Sequence, residues 1–321
     1  MTVDQLRAAF RKDGYVVLSE AVERDRIAIF LQQVTRAMEA DPWLDLAVPP
    51  GAGDDVASLM KRRAARLDDV IPDRRRILFS DKIHQALSSL MDDEPFLVSQ
   101  GLPLKYSLFR QLRDSASEPA RNAHVHHYSH VEPAKACVMT WLAMEDIAPE
   151  SGPMWVCPGS HKDNETLFDR VLAADPSLQH NLALLRAEGG EHGRWTRWFS
   201  KMQARMTDIL EDEIAADRRV PILVRAGDMV LFDPALSHGT REPDDPLRTR
   251  WSLIAKFQGK HAIERSWATW FGNSIYLPAL RTVPPAKFET VEAGDAAWPY
   301  AVDPSRDHIK MFWTHPLMVE A

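Results

Sequence analysis

"ACVMTWLAMEDIAPESGPMWVCPGSHK", residues 136–162, decides how the chain is read. It holds two apolar runs, ACVMTWLAM and GPMWVCPG, parted by a stretch of acidic residues, Pro and Gly. Both runs are expected as strands, because they are short, carry Val, Trp and Thr, and are bounded by turn-forming residues. From Pro95 onward the same kind of run recurs: FLVSQ and LKYSLFRQL before this segment, then VPILV, DMVLFDP and RTRWSLIAKFQ after it, separated by Gly, Pro and Asp. Many short strands with long irregular connections predict an antiparallel sandwich or barrel.

The pattern changes on either side of the strands. At the N-terminus, Leu6, Ala9 and Phe10 have helical spacing closed by Gly14, and YVVL follows as a strand. Ile27, Phe30, Leu31, Val34 and Met38 then mark one face of an amphipathic helix. Residues 43–75 mix Pro, Gly, Asp and the basic run KRRAAR and read as a long loop or lid, with Lys61, Arg62, Arg63 and Arg66 on a solvated face. Residues 163–217 lack strand alternation, and WFSKMQARMTDILEDEIAA has helical spacing, so a helical insertion is expected inside the β-region. Beyond residue 260 the tail has no period. The expectation is one domain over residues 1–321, made of an N-terminal helical support with its loop (1–94), a β-core (95–260) carrying the insertion (163–217), and a C-terminal extension (261–321).

Composition excludes several classes of function. The chain has 321 residues with 39 basic and 46 acidic side chains, a net charge of −7, so no general cationic field exists to hold nucleic acid or anionic lipid. Two cysteines, Cys137 and Cys157, are too few for a disulfide framework, and no apolar run approaches the roughly 20 residues needed to cross a bilayer. A cytoplasmic protein is expected, monomeric or homodimeric, with a small molecule as partner and neither nucleic acid nor membrane.

The chemistry concentrates in RNAHVHHYSH, residues 121–130, where four of the twelve histidines fall between positions 124 and 130. On a strand His124 and His126 share a face, roughly 7 Å apart, and can share one metal ion; iron, zinc, copper and nickel all accept neutral imidazole. A histidine-rich turn bonded to solvent or backbone is the plain alternative. A third ligand is offered by GDMVLFDPALSHGT, residues 227–240, where His238 follows an apolar strand. Arg250 lies twelve residues further on, and an antiparallel hairpin of that size would return it beside His238. The planar guanidinium grips a carboxylate through two parallel hydrogen bonds, so a small dicarboxylate can bridge metal and arginine.

Three ordered segments together resemble the phytanoyl-CoA dioxygenase-like family of iron(II)- and 2-oxoglutarate-dependent oxygenases. FRKDGYVVLSEAVERDRI is similar to its opening helix, strand and helix. TWLAMEDIAPESGPMWVCPGSHK is similar to its tryptophan strand, acidic turn and Pro-Gly-Ser-His loop, and GDMVLFDPALSHGT with Arg250 to its second histidine and co-substrate arginine. The resemblance implies a mainly β fold with α elaborations, a double-stranded β-helix (jelly-roll, cupin-like) flanked by N-terminal helices and a helical insertion. It implies Fe(II), with 2-oxoglutarate as co-substrate and dioxygen as oxidant. By position, His124 and His238 stand as metal ligands, Arg250 would hold the distal carboxylate of 2-oxoglutarate, Thr240 would add a hydroxyl, and Trp141 would line that pocket or simply pack the core. Lys105, Arg110 and Gln111 are candidates to reach the same pocket.

One departure matters. The family's His-x-Asp reads His124-Val125-His126 here, without the carboxylate. His126 is the residue that can coordinate at that offset; Glu132, Asp146 and Asp233 are acidic alternatives without it. Three readings stay open: an all-histidine site of His124, His126 and His238; a lost ligand replaced by water or an anion; or weak or absent metal. A cupin-type enzyme using His124, His126, Glu132 and His238 without 2-oxoglutarate, and a metal-free binding protein, are the rival classes. For the substrate, a small organic molecule with secondary metabolites among the candidates, Trp195, Trp198, Phe199, Met202, Trp267, Trp270 and Trp313 are either pocket walls or ordinary packing.

Overall fold

The structure, a computed structural model, describes residues 1–40, 77–78, 80–93, 95–100, 104–105, 123–126, 137–188, 192–241 and 250–259. Helix α1 (Val3–Asp13) starts with a capping box, Thr2 Oγ1 accepting from the Gln5 amide while the Gln5 side chain accepts from the Thr2 amide. It stops at Gly14, whose φ of 81° is the left-handed cap that glycine adopts without a Cβ penalty. Strand β1 (Tyr15–Leu18) and helix α2 (Arg24–Ala40) follow as the periodicity requires. Helix α3 (Asp81–Met91), capped by Ser80 and burying Ile83, Ala86, Leu87 and Met91, is an element the sequence reading passed over.

The β-core is two antiparallel sheets. The large one orders its strands β1, β7 (Met229–Phe232), β4 (Cys137–Ala143), β9 (Trp251–Gly259) and β2 (Pro95–Gln100), with β3 (Leu104–Lys105) also on β9. The small one orders β6 (Val220–Pro221), β5 (Met154–Val156) and β8 (His238–Thr240). Along the chain, β4 lies in the large sheet, β5 and β6 in the small, β7 in the large, β8 in the small and β9 in the large. This crossing between two facing sheets is the double-stranded β-helix.

β4 shows why the fold holds together. All seven of its residues are buried because both faces are covered, which is why it reads as a nearly continuous apolar run. Val138 and Leu142 point outward into a core shared with α1, α2 and α3, together with Met229, Leu231, Leu253, Ala255 and Phe257. Met139, Trp141 and Ala143 point inward and meet Met154 and Val156 of the small sheet. VPILV is strand only at its start, although the Ile222 amide still donates to the Met154 carbonyl at 2.7 Å.

The region expected as an insertion is helical: a single turn α4 (Ser160–Asp163), then α5 (Leu167–Ala174), α6 (Pro176–Glu188) and α7 (His192–Glu213). These helices bury Leu167, Phe168, Val171, Leu182, Met206 and Leu210 in a second core. Among the described residues no helix is long and apolar enough to cross a membrane. The loop expected over residues 43–75, with its KRRAAR run, and the extension 261–321 lie outside the described residues.

Candidate metal centre

The histidines are set by backbone pairing. β8 is bonded on one side to β5, with His238 opposite Val156, and on its other side His238 exchanges both backbone hydrogen bonds with His124, at 2.9 and 3.0 Å. The His126 amide donates to the Pro234 carbonyl at 2.7 Å, extending the same alignment. In this extended segment alternate side chains part company. Ala123 and Val125 enter the helical core, while His124 and His126 face His238. The ring centroids lie 4.1 Å apart for His124 and His238, 5.0 Å for His126 and His238, and 5.6 Å for His124 and His126. Their ligand nitrogens all fall within 4.8 Å of one another. Two imidazole nitrogens on one ion lie at most about 4.2 Å apart, twice a bond of ~2.1 Å, so small ring rotations suit the triad to a single metal.

Electrostatics prepare the same nitrogens. His238 is buried, 4% exposed, and its Nδ1 lies 2.8 Å from the Leu236 carbonyl oxygen. A carbonyl only accepts, so Nδ1 carries the proton and Nε2 keeps its lone pair for a metal. Burial, followed by the neighbouring His124 and His126, holds the His238 pKa well below its ordinary 6.5, so this ring is neutral at pH 7.

The supports come from distant parts of the chain. Asn164 Nδ2 donates to the Ala235 carbonyl at 2.8 Å and to Ser237 Oγ at 2.7 Å, and the Ser237 amide donates to Ser160 Oγ at 2.9 Å. The PGSHK loop thus fixes the turn that precedes His238. At Gly14 the chain passes so close that a Cβ would stand 2.5 Å from His161 Nδ1 and 2.8 Å from Leu236 Cδ1, and the Gly14 carbonyl accepts from the Asp233 amide. On the other flank, Glu211 of α7 accepts from the Ala123 amide at 2.7 Å, next to His124, and is itself gripped by Arg219 at 2.6 Å. None of Asn164, Ser160 or Glu211 was singled out by sequence; the one available signal was that Asn164 and Ser160 lie in or beside the quoted loop.

Arg250 defines the second half of the site. It is 3% exposed, donates from Nε to the Gly152 carbonyl, from Nη2 to Thr240 Oγ1 at 3.3 Å and from Nη1 to Ser252 Oγ at 3.4 Å, and lies over the Trp141 ring at 5.1 Å. Thr240 is two residues from His238, on the same face of β8, so cation and histidines are separated by roughly 7 Å along the strand. The expected hairpin is not what brings them together: β8 pairs with β5, whereas β9 pairs with β4 and β2, and the chain crosses from one sheet to the other between them. The crossing lets Arg250 come in from the opposing sheet, which a hairpin would not.

Other candidates sort clearly. Asp146 pairs with Arg24 at 2.9 Å and Asp233 accepts from the Ala235 amide, so neither belongs to the triad. Trp198, whose Nε1 donates to the Leu178 carbonyl, and Met202 are core packing rather than pocket wall. Lys105 sits in β3 opposite Trp251. Arg110, Gln111, Glu132, Trp267, Trp270 and Trp313, and the side chains of Trp195 and Phe199, lie outside the described residues.

A jelly-roll whose two sheets enclose a three-histidine cluster able to hold a metal ion, together with a buried arginine, defines the class of β-protein. The family model for phytanoyl-CoA dioxygenase (PhyH) matches residues 10–243, and the chain belongs to that family. The mouse peroxisomal phytanoyl-CoA dioxygenase is 23% identical over an aligned length of 258 residues, the match covering 75% of this chain and 63% of the mouse protein, under two thirds of that relative. Among solved structures, the nickel complex of the non-haem monooxygenase ThoJ has a TM-score of 0.47 at 15% identity, covering 79% of this chain and 77% of that one. EctD from S. alaskensis, solved with 2-oxoglutarate and 5-hydroxyectoine, has a TM-score of 0.45 at 17% identity, covering 82% and 77%.

Proposed function

We propose that the chain is a non-haem iron(II)- and 2-oxoglutarate-dependent oxygenase that hydroxylates or otherwise oxidises a small organic molecule. His124, His126 and His238 would hold the iron, and Arg250 would hold the far carboxylate of 2-oxoglutarate, with the Thr240 hydroxyl and the Trp141 ring beside it. The observation that carries the reading is the placement of a buried arginine about one small dicarboxylate from three convergent imidazoles, on the scaffold of the PhyH family. Bound iron(II) and 2-oxoglutarate would supply the activation of dioxygen for attack on a substrate C–H bond.

The chain's own residues do the rest. His238 is kept neutral and in one tautomer by burial and by Leu236, so metal binding need displace no proton from it near pH 7. Replacing a carboxylate by His126 leaves the centre about one charge more positive than two histidines and an aspartate, which favours an anionic co-substrate. Arg250 is pre-oriented by Gly152, Thr240 and Ser252, so little side-chain entropy is lost when it grips a carboxylate. The apolar inner face around Met139, Trp141, Val230 and Phe232 limits water beside the site.

The test is anaerobic titration of the metal-free protein with iron(II) and 2-oxoglutarate, followed by the visible charge-transfer band of the chelate. The expected result is a saturable band that disappears in Arg250→Met. Metal retention without a band points instead to a cupin-type enzyme that needs no 2-oxoglutarate, and neither metal nor band to a ligand-binding protein.

A further inference from the structure

The inner face of β9 carries a second cation. Cross-strand partners share a face, and Lys256 lies opposite Met139, which points inward, so Lys256 points inward too. Arg250, Ser252, Ile254 and Lys256 alternate on this one side of the strand, while Leu253, Ala255 and Phe257 occupy the outer core. The register places Phe232, Met139 and Lys256 in one row across the large sheet. Phe232 stands at the other end of that row with its ring 4.8 Å from the His238 ring. Two strand spacings, about 10 Å, therefore separate Lys256 from the residue that packs on the metal triad. Arg250 lies six residues back along β9, so the two cations stand at opposite ends of the inner face.

Lys256 is 2% exposed, yet Ile254 next to it on the same side is 38% exposed. An aliphatic side chain that open on the inner face of a sandwich borders free space. The Lys256 ammonium is thus set on the inner face and out of bulk water. Burial lowers its pKa to about 8, which still leaves the amine mostly protonated at neutral pH.

We propose that Lys256 receives an anionic group, a carboxylate in the first instance, of the primary substrate, and holds that substrate across the inner face from the Arg250 end. The inference rests on the oxygenase reading and deepens it: the substrate class becomes small organic acids. Arg250 takes one carboxylate through its fork and Lys256 another through a point charge, so co-substrate and substrate are told apart by position.

The probe is acetate, added to protein labelled with nitrogen-15 at lysine, the Lys256 side-chain signal being assigned by its absence in Lys256→Arg. On the metal-free protein, the expected result is a saturable shift of that signal alone, which persists after loading with zinc and 2-oxoglutarate. Acetate affinity read from tryptophan fluorescence is expected to fall at least about tenfold in Lys256→Met and to stay within threefold in Lys256→Arg. Because the first arm uses no metal or co-substrate, a chain that fails to bind 2-oxoglutarate can still show the acetate shift. No shift of the Lys256 signal overturns the proposal. So does a shift produced by 2-oxoglutarate and then refractory to acetate, which would make Lys256 a co-substrate residue. Unchanged acetate affinity in a Lys256→Met variant that melts like the wild type also overturns it.

Discussion

The two sheets have different covers, and the two halves of the site divide along the same line. The large sheet is backed by α1, α2 and α3 and contributes Trp141 and Arg250, both deeply buried; Arg250 is fixed by the Gly152 carbonyl just before β5, by Thr240 of β8 and by Ser252 of β9, and lies over the Trp141 ring, with no contact from the helical insertion among these. The small sheet is backed by the helices between Ser160 and Glu213. Its histidine side depends on long-range tethers: Glu211 to Ala123, Asn164 to Ala235 and Ser237, and Ser160 to Ser237. His124 and His126 keep solvent access where Arg250 does not. The contrast teaches that the metal end is held by the insertion and the anion end by the strands themselves, so each end can be damaged separately.

His238→Ala is the most severe way to break the metal end. Loss of one of the three proposed ligands is expected to weaken metal binding by on the order of 3–4 kcal/mol, several hundredfold, in a calorimetric titration. Leu210→Ala tests whether the insertion matters without touching a ligand. It removes a fully packed side chain one residue from Glu211 and should lower unfolding free energy by about 2–5 kcal/mol, read by urea titration, with weaker metal binding as well. Arg250→Met should separate the two ends in the opposite sense, weakening 2-oxoglutarate by about 2 kcal/mol, some thirtyfold, while metal affinity stays near wild type.

The pH response sharpens the comparison further. The His238 pKa is lower in the folded protein than in the unfolded chain, so its contribution to stability is complete above the unfolded value of about 6.5 and is lost as pH falls through it. The melting temperature of the metal-free protein is expected to fall between about pH 7.5 and 5.5, and His238→Gln should flatten that slope. At the small end of the scale, Arg170→Ala breaks a half-exposed pair with Glu213 on the outer surface of the insertion and should move stability by no more than about 0.5 kcal/mol.

What was legible in the sequence was local. β4 and β5 announce themselves as apolar runs between turn residues, and α1 through its period and Gly14. The histidine pair and Arg250 stood out because their chemistry is rare in those patterns. α3 was passed over although Ser80 and the spacing of Ile83, Leu87 and Met91 mark it, since eleven residues beside a long irregular stretch give little periodicity. The mistaken hairpin between β8 and β9 has a different cause: whether a strand pairs with its neighbour or crosses to a facing sheet is settled by the partners it finds, here β5 and β4, and no residue between 240 and 250 encodes that choice. The tethers from Glu211 and Asn164 were invisible for the same reason, because 88 residues separate Glu211 from Ala123.

The central claim is that a histidine fills the place of a carboxylate, and metal affinity of three position-126 proteins tests it most directly. In calorimetric titrations with iron(II) under anaerobic conditions, the account predicts one tight site in the wild type. His126→Ala should lose at least tenfold in affinity, and His126→Asp should keep a tight site with a carboxylate as third ligand. Equal, undiminished binding by His126→Ala would contradict the three-histidine centre.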